Sequence, residues 1–141
     1  FGLEDKWLQT APGELTLFHG AGEGAPVVFL HGSGSGVSAA ANWWLNLPEL
    51  SEHCQTIAID LLGFGQATTM DGTPYGIKAW VEHVVRVLDK LNIEKTWLVG
   101  NSLGGWVAFQ FVIDNPERLA GIISMGTAPA PRRRRATPAP Q

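Results

Sequence analysis

Cysteine is nearly absent: Cys54 is the only one in 141 residues, so no internal disulfide can form and a reducing compartment fits best. It falls in a stretch that reads as a strand, which marks it as a small buried apolar residue. Long hydrophobic runs are missing as well. None approaches the ~18 residues of a transmembrane helix, and the amino terminus lacks the charged-then-apolar pattern of a signal segment. These absences argue against a disulfide scaffold and a membrane partner, and predict a cytoplasmic protein. Internal repeats are absent too. The first residue is Phe1, not Met, which reads as a processed, trimmed or partial product.

Positive charge is scarce outside one cluster. Four of the ten basic residues are Arg132, Arg133, Arg134 and Arg135, and removing them from a net charge of −3 leaves −7 on the rest. An acidic body of this kind excludes nucleic acid and anionic membranes as partners. With 45% hydrophobic residues the chain is long enough for one domain, which buries roughly 70% of its unfolded surface. After Thr127 the composition collapses to Ala, Pro, Arg, Thr and Gln without apolar period. We therefore expect a core domain over 1–127 and a disordered tail over 128–141, read as non-native or as an electrostatic tether.

Within the core, "KWLQT" and "ELTLFHG" alternate polar and apolar residues around Pro12-Gly13, the pattern of an antiparallel hairpin. "PVVFL", "CQTIAID", "KTWLVG" and "LAGIISMG" are continuous apolar runs, as in strands covered on both faces. Helical spacing appears briefly in "NWWLNLPEL", strongly over residues 77–93, and again in "LGGWVAFQFVIDNP". Residues 61–76 read as a long loop. Strand and helix alternate after the hairpin, which predicts an α/β fold with a mostly parallel sheet and helices on both faces.

Gly100-Asn101-Ser102-Leu103-Gly104 fits G-x-S-x-G, with a strand expected before it and a helix after it. A turn that sharp forces strained angles on the serine and brings positions two away on either side into collision. Glycine at 100 and 104 removes the collision. The Ser102 hydroxyl then stands at the carboxyl end of the sheet, beside a helix amino terminus that favours negative charge. Acyl transfer also needs oxyanion donors, each worth roughly 3–4 kcal/mol. The backbone N–H of Leu103 is one candidate. That of Ser33, in the small-residue loop His31-Gly32-Ser33-Gly34, is the other. The alternative is a glycine-rich turn that only lets helix and strand pack closely.

Together these residues resemble the α/β-hydrolase fold and, more narrowly, the meta-cleavage-product hydrolases. The narrower resemblance rests on "FLHGSGSGVSAAANWWLNLPEL", "IDLLGFGQ", "WVEHVVRVLDKLNIEKTWLVGNSLGGWVAFQFVIDNPERL" and the "MGT" closing the last strand. Ser35 departs from it, because the family's loop usually reads G-P-G. The resemblance implies hydrolysis of a carbon–carbon bond in 2-hydroxy-6-oxo-dienoates from aromatic degradation, with no metal and no organic cofactor. In such enzymes the substrate shifts to its keto form before water or serine attacks the carbonyl. By matching position, Gly32 and Gly34 belong to the substrate loop. Asn42 and Asn101 correspond to polar residues around the substrate's carboxylate and dienol oxygens. The alternatives are a helix cap for Asn42 and a forced elbow position for Asn101.

One element of the family's machinery is missing from the pattern. The triad runs Ser, acid, His along the chain, whereas His19, His31, His53 and His83 all precede Ser102. His31 is expected to brace its loop, and His83 to be solvated on the charged helix face. His19 and His53 should lie at element ends far from the elbow. Asp60 is expected to hold the following turn and Asp114 to mark a helix terminus. The family also adds two parallel strands after "LAGIISMG", so the sheet is expected to be truncated after the strand near 119–125. Ile122 and Ile123 then lie on an exposed edge that dimerises or aggregates. The compositional switch where the resemblance ends suggests a reading-frame change or a cloning remnant. The expected function is serine hydrolysis of a small dienoate, with a carboxylesterase or a catalytically impaired binding module as alternatives.

Overall fold

The computed structural model describes residues 4–65 and 76–127. The centre of the loop expected over 61–76 and the whole of the 128–141 segment lie outside the described residues. Strands β1 (Glu4–Ala11) and β2 (Glu14–Ala21) form the hairpin, turning at Gly13 with φ 73°. Strands β3 (Pro26–Leu30), β4 (Gln55–Ile59), β5 (Thr96–Asn101) and β6 (Leu119–Met125) complete a six-stranded sheet in the order β1-β2-β4-β3-β5-β6. Pairing is antiparallel for β1–β2 and β2–β4, and parallel for β4–β3, β3–β5 and β5–β6. This is the expected mixed sheet of the α/β-hydrolase type, ending at β6.

Each central strand divides its side chains between two cores, which is why it reads as an unbroken apolar run. Val28 and Leu30, with Ile57, Ile59 and Leu98, meet helices α3 (Ile77–Lys90) and α4 (Leu103–Asp114) through Val84, Leu88, Val107 and Phe111. On the opposite face Phe29, Ala58 and Val99 pack under Ala39, Trp43 and Leu47, from the short helices α1 (Ala39–Trp43) and α2 (Leu47–Leu50). Phe29 meets Trp43 edge-on, with ring centroids 5.2 Å apart. Helix α3 stops three residues short of the apolar periodicity. Asn92 turns left-handed at φ 57°, and Ile93 N–H bonds back to Leu88 O at 2.9 Å, a Schellman closure.

The two sheet edges differ. Strand β1 carries the exposed charges Asp5 and Lys6 and a bulge between Gln9 and Ala11, devices that discourage further pairing. Strand β6 has no charged residue and no proline, and its Ile123 and Met125 are exposed. The expected apolar edge is therefore present.

Two expectations are corrected. Cys54 precedes β4 instead of lying within it and is only half-buried, its Sγ–H donating to Leu50 O at 3.3 Å. His83 is not solvated. The hairpin covers it completely, and its Nε2 is hydrogen-bonded to Thr16 Oγ1 at 2.7 Å. Around it lies a polar network: Thr16 with Thr10, Thr10 with Glu14, and Glu14 with a two-pronged Arg86 at 2.9 Å on each oxygen. The charged face of α3 thus anchors the hairpin.

Burial pushes the His83 imidazole down to about 4, outweighing the nearby Glu14 charge. For Glu14, burial acts to raise its pKa, but the Arg86 and Thr10 hydrogen bonds and the Arg86 charge together hold it below the ordinary value. Both groups make the unfolded chain the better proton binder in acid, so stability must rise with pH. The His83 contribution is complete above about 6.5 and is lost as pH falls from there toward about 4. Urea midpoints between pH 4.5 and 7.5 are expected to climb in the wild type and to climb less steeply in His83→Gln. Equal slopes would contradict this account.

Candidate active site

The parallel strands β3, β4 and β5 end at the same edge of the sheet, where His31, Asp60 and Ser102 respectively follow them. Ser102 is the left-handed hinge between β5 and α4, with φ 53° and ψ −110°, and it is exposed. Only two non-glycine residues among those described have positive φ, Ser102 and the Asn92 that closes α3. Leu103 is the first residue of α4, where N–H groups have no acceptor within the helix.

Glycine is imposed here by crowding. A Cβ on Gly100 would lie inside the Gly104–Gly105 backbone, and one on Gly104 inside the backbone of Leu30 in β3. The first clash is the one expected within the turn, whereas the second ties the helix to the neighbouring strand. Gly105 was not singled out from the sequence. A Cβ there would fall on the Thr127 hydroxyl and 2.6 Å from Ser124 Oγ.

The loop after β3 lies against this elbow. A Cβ on Gly32 would touch Asn101 O at 3.4 Å and Ser102 Cβ at 3.5 Å. Asn42 joins the two segments through a single oxygen: its Oδ1 accepts from Gly32 N–H at 3.1 Å and from Asn101 Nδ2 at 3.0 Å. It is not the cap of α1, since Ser38 fills that role by accepting from Ala41 N–H at 3.0 Å. Gly32, Asn42, Asn101 and Ser102 are thus brought together. Ser33 follows Gly32 on the exposed side of the loop. Gly34 instead lines a cavity of about 730 Å³ beside the loop, together with Leu17, His19, Trp44, Asp60 and Phe64.

The histidines are engaged elsewhere. His31 is fully buried and braces the loop as expected, Nδ1–H donating to Gly32 O at 2.7 Å while Nε2 accepts from Leu61 N–H at 3.0 Å. Both ring nitrogens are consumed. Burial also lowers its pKa, against the Gly32 hydrogen bond and the Asp60 charge. His19 lies within β2, not at its end, and its Nδ1 pairs with Asp5 at 2.8 Å. His53 is in the turn entering β4, at the opposite end of the strands from Ser102. Asp60 accepts from Ala39 N–H at 2.8 Å and so anchors α1, while Asp114 closes α4. Among the described residues no cluster of three or more His, Cys, Asp or Glu side chains could hold a metal, and no helix is long and apolar enough to cross a membrane.

The family described as the alpha/beta hydrolase fold matches residues 25–139. The chain is 46% identical over 118 residues to the 2-hydroxymuconate semialdehyde hydrolase of Pseudomonas sp. strain CF600, covering 84% of this chain and 42% of that protein. It is 45% identical over 116 residues to the 2-hydroxy-6-oxo-2,4-heptadienoate hydrolase of Pseudomonas putida F1, covering 82% and 42%. Among solved structures, a meta-cleavage product hydrolase from Pseudomonas fluorescens IP01, complexed with acetates, superposes with TM-score 0.84 at 42% identity. That match covers 87% of this chain and 45% of the other. The chain therefore spans less than half the length of the relatives that it matches.

The crowding at the elbow predicts that Gly104→Ala is destabilising by about 3 kcal/mol, since rigid backbone and not a flexible side chain stands in the way. Gly76→Ala, where no described residue lies within 4 Å, should be close to neutral. Urea unfolding of the two variants measures the contrast, and similar midpoints would disprove it.

Proposed function

Because the chain belongs to the alpha/beta hydrolase fold family, we propose that it acts as a serine-nucleophile hydrolase of the kind that cleaves carbon–carbon bonds in ring-cleavage dienoates. The observation that carries the reading is Ser102 itself. It is an exposed hydroxyl on a strained strand-to-helix turn, with the Gly32 loop packed against it. The similarity to hydrolases of 2-hydroxymuconate semialdehyde and of 2-hydroxy-6-oxo-2,4-heptadienoate supports the substrate class. In this reading Ser102 Oγ attacks the keto carbonyl of the tautomerised dienoate. The backbone N–H groups of Leu103 and Ser33 stabilise the oxyanion, and the Asn42–Asn101 pair borders the polar end of the substrate. Collapse breaks the carbon–carbon bond, the departing carbon takes a proton, and water releases the acyl group as a carboxylic acid.

The proton on Ser102 needs an acceptor: His31 uses both ring nitrogens, His83 lies under the hairpin and His53 at the opposite end of the strands, while His19 keeps a buried Nε2 without a partner but makes no described hydrogen bond to Ser102. Assayed by itself, the 141-residue chain is therefore expected to turn over on the order of 10⁶-fold more slowly than an enzyme with a complete triad. Two other readings have specific support. The open approach to Ser102 suits small activated esters, hence a carboxylesterase. The engaged histidines suit a module that binds without turnover.

Hydrolysis of a 2-hydroxy-6-oxo-dienoate and of a short p-nitrophenyl ester, each with Ser102→Ala alongside, separates these readings. Slow turnover abolished by the substitution is the expected result, and the preferred substrate class decides between dienoate hydrolase and esterase. Turnover indifferent to Ser102→Ala refutes the nucleophile, and none at all favours the module that binds without turnover. The uncharged β6 edge further supports association between copies of the chain. Light scattering on a sizing column should give at least twice the chain mass. A clean monomer that stays soluble at high concentration would rule this out.

A further inference from the structure

We propose that Thr127 and Ser124 form a hydroxyl clamp that holds the Ser102 backbone in its nucleophile conformation, a positioning role that rests on the reading of Ser102 as the nucleophile. A residue at φ 53° and ψ −110° persists only where its surroundings over-determine it. Ser102 N–H donates to Met125 O at 2.8 Å. Its carbonyl accepts from Gly105 N–H at 3.0 Å, from Trp106 N–H at 3.3 Å and from Thr127 Oγ1 at 3.1 Å. The first two of those donors belong to α4 and move with it. Met125 and Thr127 come from the end of β6, so one separate segment grips Ser102 on both sides.

Ser124 completes the device. Its Oγ donates to Thr127 Oγ1 at 2.7 Å, so the Thr127 proton turns to its carbonyl acceptors, of which Ser102 O at 3.1 Å is nearer than Met125 O at 3.5 Å. Gly126 bends the chain back at φ 62° to bring Thr127 over the elbow. Gly105 supplies the space, since a Cβ there would collide with both hydroxyls. The second glycine of "LGGW" and the small residues after Ile123 thus serve one geometry. Rotation about the Ser102 backbone would displace Oγ and the Leu103 N–H together, and reaction rates are steep in such displacements.

Thr127→Val removes the hydroxyl at constant shape, whereas Thr127→Ser retains it. Two readouts on the full chain test the clamp: amide hydrogen exchange at Ser102, and the rate at which a fluorophosphonate modifies Ser102. In Thr127→Val exchange should accelerate about tenfold and modification slow about tenfold, the size expected for one lost hydrogen bond. Thr127→Ser should restore both. Exchange at the wild-type rate in Thr127→Val overturns the clamp. If exchange responds as expected while even the wild type is never modified, the clamp stands as a backbone restraint and the nucleophile reading fails.

Discussion

Helix α4 approaches strand β3 so closely that the Leu30 backbone occupies the place a side chain would need on Gly104. Much at the serine follows from that contact. It brings the first turn of α4 against the end of β3, and hence against the loop that β3 launches. With α4 fixed, the chain leaving β5 has one residue in which to reverse, and Ser102 takes the left-handed conformation that this requires. Gly32 then lies against Asn101 and Ser102, and the shared Asn42 oxygen can reach both segments. A single close approach of two backbones organises the strained serine, the loop and the bridging amide.

The fold was legible where the physics is local. Continuous apolar runs mark strands buried on both faces, and β3, β4 and β5 have Val28, Ile57 and Leu98 in one core and Phe29, Ala58 and Val99 in the other. The elbow was legible because strain and crowding demand particular residues at fixed spacing. What escaped was set by distant partners. His83 reads as solvated because its neighbours on α3 include Glu82 and Arg86, yet the hairpin, some seventy positions away in the chain, closes over it with Glu14 and Thr16. Asn42 reads equally well as a cap, and only the tertiary position of Gly32 and Asn101 gives its carbonyl oxygen two donors. Thr127 carries no signal of its own. The second glycine of "LGGW" was the available hint, since Gly105 marks a place where something must come close.

The site separates two tasks that serine hydrolysis combines. In the proposed reading, holding Ser102 and the N–H groups of Leu103 and Ser33 is a matter of backbone geometry, which β3, β5, β6 and α4 supply. Removing the serine's proton requires a free imidazole nitrogen. His31, the histidine next to the substrate loop, spends both of its nitrogens on keeping that loop in shape, and burial weakens its basicity. Geometry and basicity are thus carried by different parts of the structure, so the first can be complete without the second.

The contrast between the two sheet edges carries a consequence for how copies of this chain meet. Hydrogen-bonded growth of a sheet propagates only if each added unit presents a fresh open strand. Here the outer strand of the hairpin offers charge and a bulge, whereas β6 offers bare backbone flanked by Ile123 and Met125. Pairing of β6 with its own copy consumes both receptive edges and leaves a guarded β1 at either end. In the association proposed above, such a pair would stop at two copies, because only guarded edges would remain open. In that association the asymmetry between the edges would favour a pair over a fibre.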